Sequence, residues 1–190
     1  MLRELIATGP GQTALREYDE PELGAEEVRI RSEFASPKHG TESHGFLADS
    51  PFKETRFDPE YRIFLPLAEK QPKFPMRLGN MTVGTVIETG PRVTRFKPGD
   101  RVYGHLSVRE THVVHELGRG QGKVPLGSGV RESRLHHLPE GMSPQEAVLL
   151  DPAHFALAAV RDAKVGVGDW VAVYGLGAIG LLIVQFVTTR

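Results

Sequence analysis

The 190-residue chain contains no cysteine. Disulfides and thiolate metal sites are therefore excluded, and a reducing, cytoplasmic compartment is the expectation. Neither sign of charge is in excess. With 23 Lys and Arg against 24 Asp and Glu, the formal net charge is -1, which offers no footprint for nucleic acid or an anionic membrane. Long apolar runs are missing as well. The longest, residues 176–187, falls well short of the roughly 20 residues that span a bilayer. The opening MLRELIATGPG lacks a basic segment followed by an apolar core, so no secretory signal is expected. There is no internal repeat and no low-complexity segment. What remains is the composition of an ordinary globular protein, 39% hydrophobic and 25% charged, long enough for one domain and part of another.

The most informative stretch is WVAVYGLGAIGLLIVQFVTTR, residues 170–190. Residues 171–174 form the β-branched and aromatic run expected of a buried parallel strand. Gly175, Gly177 and Gly180 follow in the spacing G-x-G-x-x-G, and residues 181–187 continue as an apolar helix-length run. In a dinucleotide-binding turn the first glycine makes the tight turn. The second lets backbone approach a pyrophosphate, and the third lets helix pack on strand. The helix N-terminus then presents free N–H groups to the phosphates. An acidic residue for the ribose, expected about 20 residues further on, would lie beyond Arg190. The stretch therefore reads as the opening of an NAD- or NADP-binding domain, truncated here.

The rest of the chain is rich in short strand signals. Residues 2–7 and 13–18 flank a Gly9-Pro10-Gly11 turn and predict a hairpin. Val28, Ile30, Ser32 and Phe34 alternate with Arg29, Arg31, Glu33 and Ala35, the pattern of a half-buried strand. Residues 82–89 predict another, in which Gly84 implies a bulge or a close backbone approach. A Lys97-Pro98-Gly99-Asp100 turn leads into a strand at 101–103, and 111–114 predicts one more. Such strands with Gly and Pro turns imply a small all-β barrel or sandwich. Residues 45–78 have no clear period and hold five of the nine phenylalanines, Phe46, Phe52, Phe57, Phe64 and Phe74. They read either as a loop packed over the barrel or as the wall of an apolar substrate pocket. Residues 116–133 read as a glycine-rich surface loop. Ser143 and Glu146 form a capping box with Pro144 at the first helical position. A short helix to about Leu150 is expected, then a break at Asp151-Pro152, then a helix over 153–163.

Barrel, linker helices and nucleotide fingerprint, in that order, resemble the medium-chain dehydrogenase/reductase family. The resemblance runs over essentially the whole chain. It is most specific at Val83-Gly84-Thr85-Val86 through Gly90, at residues 93–102 (VTRFKPGDRV), at residues 137–141 (HLPEG), and at Gly168-Asp169 with Gly175 to Gly180. It implies a mostly β chain: a GroES-like barrel over residues 1–142, then linker helices and the truncated start of a Rossmann domain over 143–190. It also implies an NAD(P)-dependent oxidoreductase that moves hydride between nicotinamide and an alcohol or carbonyl substrate, bulky and apolar if the phenylalanines line its pocket. The full-length protein is expected to be a cytoplasmic homo-oligomer, with no nucleic-acid or membrane partner. Two alternatives stay open: a zinc-free reductase of the same family, and a truncated, non-catalytic barrel that binds a partner.

At the family's catalytic zinc positions this sequence departs from the pattern. Zinc members usually read Cys-Gly-Thr-Asp after the third strand, and here the stretch is His39-Gly40-Thr41-Glu42. Where Gly-His-Glu is usual, Gly79-Asn80-Met81 stands, and the third ligand position matches Asp151 before Pro152. The metal candidates are therefore His39 and Asp151, with Asn80 at the third position. Imidazole and carboxylate are good zinc ligands, whereas a carboxamide is poor. A metal needs another donor, from His44 or His154. Otherwise His39 and Asp151 are polar pocket residues. Thr41 and His44 match the family's proton path, in which the hydroxyl takes the substrate proton and the imidazole passes it to solvent. Glu42 is placed to orient His39 or its neighbours. The four-Cys structural zinc lobe is absent.

Overall fold

The Pro10-Gly11 turn folds β2 (Gln12–Tyr18) back on β1 (Leu2–Gly9) in antiparallel register from Leu2 opposite Tyr18 to Gly9 opposite Gln12. The computed structural model describes residues 1–49, 55–66, 74–117 and 135–189, and the side chains of His39 and Thr41 are not among what it describes. Phe52 and all but the first two residues of the expected 116–133 loop lie outside the described residues. Beyond the hairpin come β3 (Glu27–Ser36), α1 (His39–Leu47), β4 (Thr55–Asp58), β5 (Ile63–Pro66) and β6 (Met76–Arg77). Then follow β7 (Met81–Thr89), β8 (Arg101–Gly104), β9 (Thr111–His115), β10 (Leu135–His137), α2 (Pro144–Ala147), α3 (Leu150–Asp162) and α4 (Ala178–Thr188). The chain divides into two compact units, Met1–Pro139 and Glu140–Arg190.

The first unit is a curled half-barrel. Its larger sheet has five strands in the order β10-β8-β7-β3-β9, and its smaller sheet has the order β2-β1-β6. The period-2 pattern of β3 decides which face is inside. Val28 and Ile30 are buried with Val86, Phe96, Val102, Leu106 and Leu135 in one cluster, while Arg31 between the strand's faces is exposed. Gly84 confirms both expectations for β7. It stands opposite Ser32 beside a register shift, and a Cβ there would lie 2.3 Å from the Arg31 carbonyl oxygen. The two sheets join where Leu5 N–H donates to the Val108 carbonyl (2.9 Å) and Glu110 N–H to the Arg3 carbonyl (3.1 Å).

That seam carries a buried charge. Glu4 is 1% exposed. Burial pushes its carboxyl up, but a hydrogen bond from Arg16 (2.5 Å) and the charges of Arg77 (2.9 Å away) and Arg109 outweigh burial and hold it below the usual carboxylate value. The Arg109 guanidinium also lies 3.7 Å from the centre of the Tyr18 ring. Next to this group, burial first and the Arg109 charge second push the His112 imidazole down to about 3.

Four sequence expectations are corrected. Residues 39–47, for which the sequence predicts no helix and whose end overlaps the stretch read as a loop, form a helix. Two glycines, a Thr and a Ser give α1 poor intrinsic helicity, so contacts from elsewhere in the fold must set it. Within the aperiodic 45–78 stretch, β4 and β5 form an isolated antiparallel hairpin with Phe57 opposite Phe64. The two rings pack against each other, centroids 5.3 Å apart, and each is 52% exposed. Asp151-Pro152 does not break a helix but sits in the first turn of α3. A first-turn residue has no intrahelical acceptor for its N–H, so a proline costs little there. Finally, residues 171–174 pair with no strand among the described residues, and Val171 and Tyr174 are exposed. Strand identity depends on a hydrogen-bonded neighbour, which the residue pattern alone cannot supply.

In the second unit the capping box forms as read. Ser143 Oγ accepts from Glu146 N–H (3.2 Å), and the Glu146 carboxylate accepts from Ser143 N–H (2.7 Å). The helix α3 buries Ala156 and Val160, one turn apart, and packs with α4.

Candidate active site and dinucleotide turn

Ser36 ends β3, and α1 starts three residues later, so the first turn of α1 carries His39, Thr41 and Glu42 away from the sheet edge. Lys38 at the N-cap has no side-chain cap. Instead the Glu42 carboxylate reaches back and accepts the Lys38 backbone N–H, while Glu42 N–H donates to the Lys38 carbonyl (2.9 Å). The second oxygen of the same carboxylate accepts the Gly79 N–H at 2.6 Å. The neighbouring Asn80 N–H donates to the Ser36 carbonyl at 3.0 Å. The structure thus ties together the two segments that carry His39 and Asn80, which are far apart in sequence.

Gly79 is required at this junction. Its φ is +119°, and a Cβ would lie 2.3 Å from the Val108 backbone nitrogen. No side chain fits there without moving backbone.

His44 sits in the last turn of α1 and is 61% exposed, with its Nδ1 2.8 Å from Asp49 Oδ1. The carboxylate fixes one ring nitrogen and leaves Nε2 for exchange with water. Asp151 belongs to the second unit, in the first turn of α3, and is 7% exposed. His154 is exposed beside Phe155. Among the described residues there is no cluster of three His, Cys, Asp or Glu able to hold a metal ion. Nor is any helix among them long and apolar enough to cross a membrane.

The glycine turn can be tested atom by atom. Gly175 has φ +86° and makes the bend. At Gly180 a Cβ would lie 1.9 Å from the Gly175 carbonyl oxygen, so the start of α4 presses directly on the turn. Gly177 differs from both. Its φ of -79° and ψ of -171° suit any residue, and no protein atom lies within 4 Å of where its Cβ would be. Packing among the described residues demands no glycine there. The space it leaves open adjoins the free N–H groups at the start of α4, as a bound pyrophosphate requires.

Sequence reasoning missed the two hydrogen bonds that the Glu42 carboxylate accepts from the backbone. The signal was present but unusual: a glutamate in the first turn of a helix whose N-cap residue is a lysine. It also passed over Glu4 with its three arginines: Arg16 faces it across the β1–β2 hairpin, but Arg77 and Arg109 come from segments more than 70 residues away and leave no local pattern.

A half-barrel of this topology, followed in the chain by the helices α2 and α3 and a glycine turn, defines a GroES-like domain followed by the opening of a Rossmann-type fold. Residues 58–142 match the alcohol dehydrogenase GroES-like domain. The chain is 40% identical over 188 residues to the D-guloside 3-dehydrogenase of Escherichia coli (strain K12), a match covering 97% of this chain and 50% of that protein. It is 33% identical over 138 residues to the (R,R)-butanediol dehydrogenase of Bacillus subtilis (strain 168), covering 65% and 40%. The crystal structure of the 2R,3R-butanediol dehydrogenase from Bacillus subtilis shares the fold at a TM-score of 0.67, with 23% identity over 100% of this chain and 55% of that one. The chain belongs to the medium-chain dehydrogenase/reductase family. It spans about half the length of the curated relatives it matches.

Proposed function

We propose that the protein containing this chain is an NAD(P)-dependent oxidoreductase acting on a secondary hydroxyl, or the matching carbonyl, of a small polyhydroxylated substrate. The observation that carries the cofactor is Gly177, a glycine that neither backbone conformation nor packing explains. The substrate class is supported by relatives named for a guloside, a butanediol and sorbitol. A bound nicotinamide supplies the hydride acceptor or donor.

The chain's own residues hold the phosphates and manage the proton. The N–H groups at the start of α4 bind the pyrophosphate. Thr41 accepts the proton of the substrate hydroxyl, the role its position implies by family resemblance. His44, braced by Asp49 and open to water, passes that proton to solvent. Imidazole, carboxamide and carboxylate at positions 39, 80 and 151 fall one strong ligand short of a catalytic zinc set. The Asn80 carboxamide instead donates a hydrogen bond to the substrate oxygen. Cytoplasmic location and self-association of the whole protein are part of the same reading. Exposed Ile179, Leu181 and Val184 on α4 leave this chain by itself an apolar face that association would cover.

The test is cofactor titration of the protein expressed from its complete reading frame, with metal analysis alongside. Gly177→Val should weaken NAD(P) binding by about a hundredfold, roughly 2.7 kcal/mol, and leave the melting temperature unchanged. Unaltered affinity in the variant removes the glycine turn as a cofactor site. Stoichiometric zinc, with activity lost to chelators, replaces the Asn80 role by a metal.

A further inference from the structure

We infer that Glu42 is a positioning residue whose carboxylate sets the backbone register between the first turn of α1 and the Gly79-Asn80 segment. As an effect on turnover this rests on the dehydrogenase reading. As a statement about the fold it does not.

Three consecutive backbone amides are anchored one by one before β7. Leu78 N–H donates to the Leu5 carbonyl (3.2 Å), Gly79 N–H to Glu42 Oε1 (2.6 Å), and Asn80 N–H to the Ser36 carbonyl (3.0 Å). The Leu78 carbonyl accepts from Val108 N–H at 2.7 Å. Two of the three amides are thus held by main chain that belongs to sheet strands. The middle one is held by a single side chain, and that side chain comes from the helix carrying His39 and Thr41. A partly buried backbone N–H needs an acceptor. Here the acceptor is ionised and short-range, the stronger kind of hydrogen bond.

The other oxygen of Glu42 takes the Lys38 N–H at the start of α1, where helix geometry offers backbone donors no acceptor one turn back. One carboxylate therefore does two jobs: it closes the N-terminus of α1, and it fastens that closed end to the residue before Asn80. Gly79 cannot shift to compensate. Its positive φ and its contact with the Ser107-Val108 backbone fix it from the opposite side. Loss of the carboxylate should let the first turn of α1 slide against Asn80 while both strands stay in place.

The length of the side chain matters. Aspartate, one methylene shorter, cannot reach back to Lys38 and across to Gly79 together. Glutamine can accept from Gly79, but its amide nitrogen would face the Lys38 N–H, donor against donor. The order of effect should therefore be alanine, then aspartate, then glutamine.

The experiment uses the complete protein and two readouts. The first is hydrogen–deuterium exchange resolved to single amides by fragmentation. In Glu42→Ala the Gly79 and Lys38 amides should exchange at least tenfold faster, with Val83 and Val86 in β7 unchanged. Glu42→Gln should retain most of the protection at Gly79 and lose it at Lys38. Unchanged Gly79 exchange in Glu42→Ala overturns the inference. So does a uniform rise across β7, which would mean a general loss of stability. The second readout is steady-state oxidation of sorbitol by NAD+ or NADP+. Glu42→Ala should lower kcat about tenfold with KM within twofold, and Glu42→Gln should recover part of it. Altered exchange with unaltered kcat also overturns the positioning role. A wild-type protein without dehydrogenase activity refutes the proposed function instead, and the exchange result still decides the register.

Discussion

Residues 83–87 and 171–174 are written in nearly the same alphabet, β-branched residues with few polar interruptions. In β7, Val83 and Val86 are 0% exposed; Val83 is paired with β3 and β8, and Val86 with β3. In the second unit, Val171 is 42% and Tyr174 94% exposed, and no strand pairs with them among the described residues. The comparison teaches that a strand pattern states what a segment can bury, not that it has something to bury against. The glycine turn beside residues 171–174 makes the complementary point. Its geometry is complete because a turn is local, whereas a sheet is not.

This contrast can be broken by substitution. Ile30→Ala in the barrel core should cost about 2–5 kcal/mol of unfolding free energy in denaturant titrations. Leu176→Ala, at a site 64% exposed, should stay within about 0.5 kcal/mol. Equal losses would mean that the second unit is as well packed as the first.

A pH titration sharpens the same contrast, because the buried imidazole belongs to the first unit. His112 Nε2 has no hydrogen-bond partner among the described residues. Its folded value, pushed down to about 3, lies below the unfolded value of 6.5. Between those values the unfolded chain binds a proton that the folded chain refuses, so stability falls as pH falls below about 6.5. The slope is about 1.4 kcal/mol per pH unit, or about 2–3 kcal/mol between pH 6.5 and 4.5. The depressed carboxylates, Glu4 among them, add their loss only at lower pH, as they are protonated. Replacing His112 with Gln should flatten the curve in the upper window. A slope that survives the replacement assigns it to another group.

A loss smaller than that of Ile30→Ala is expected in the segment between β6 and β7. Gly79→Ala imposes a positive φ on an L-residue and a backbone clash, at about 1–3 kcal/mol. Chemical denaturation would check it, and a neutral outcome would show that the Ser107-Val108 backbone can yield.

Much of the barrel was legible because its signals are local. The Pro10-Gly11 turn, the alternation in β3, the tight approach at Gly84 and the Ser143 capping box each depend on residues within one or two elements. The helix α1 was not legible. Its composition is weakly helical, and what holds its start is a carboxylate bond to Gly79, 37 residues away. The hairpin β4–β5 was hidden by the absence of period-2 alternation across its exposed faces. For the candidate site, the residue types were readable in sequence: imidazole at 39, hydroxyl at 41, carboxamide at 80, and three glycines at the turn. That Glu42 grips the backbone of Lys38 and Gly79 was decided only in three dimensions.

Local residue pattern settles the β1–β2 turn, the inward Val28 and Ile30 of β3, the capping box at Ser143 and the bend of the glycine turn. Periodicity and glycine stereochemistry act over a few residues and need no partner. Tertiary structure alone decided the helix at 39–47, the buried Glu4 with its arginines, and the lowered basicity of His112. Each of these is an energy of desolvation or of a long-range bond. Such energies exist only once distant segments have closed around the group and excluded water.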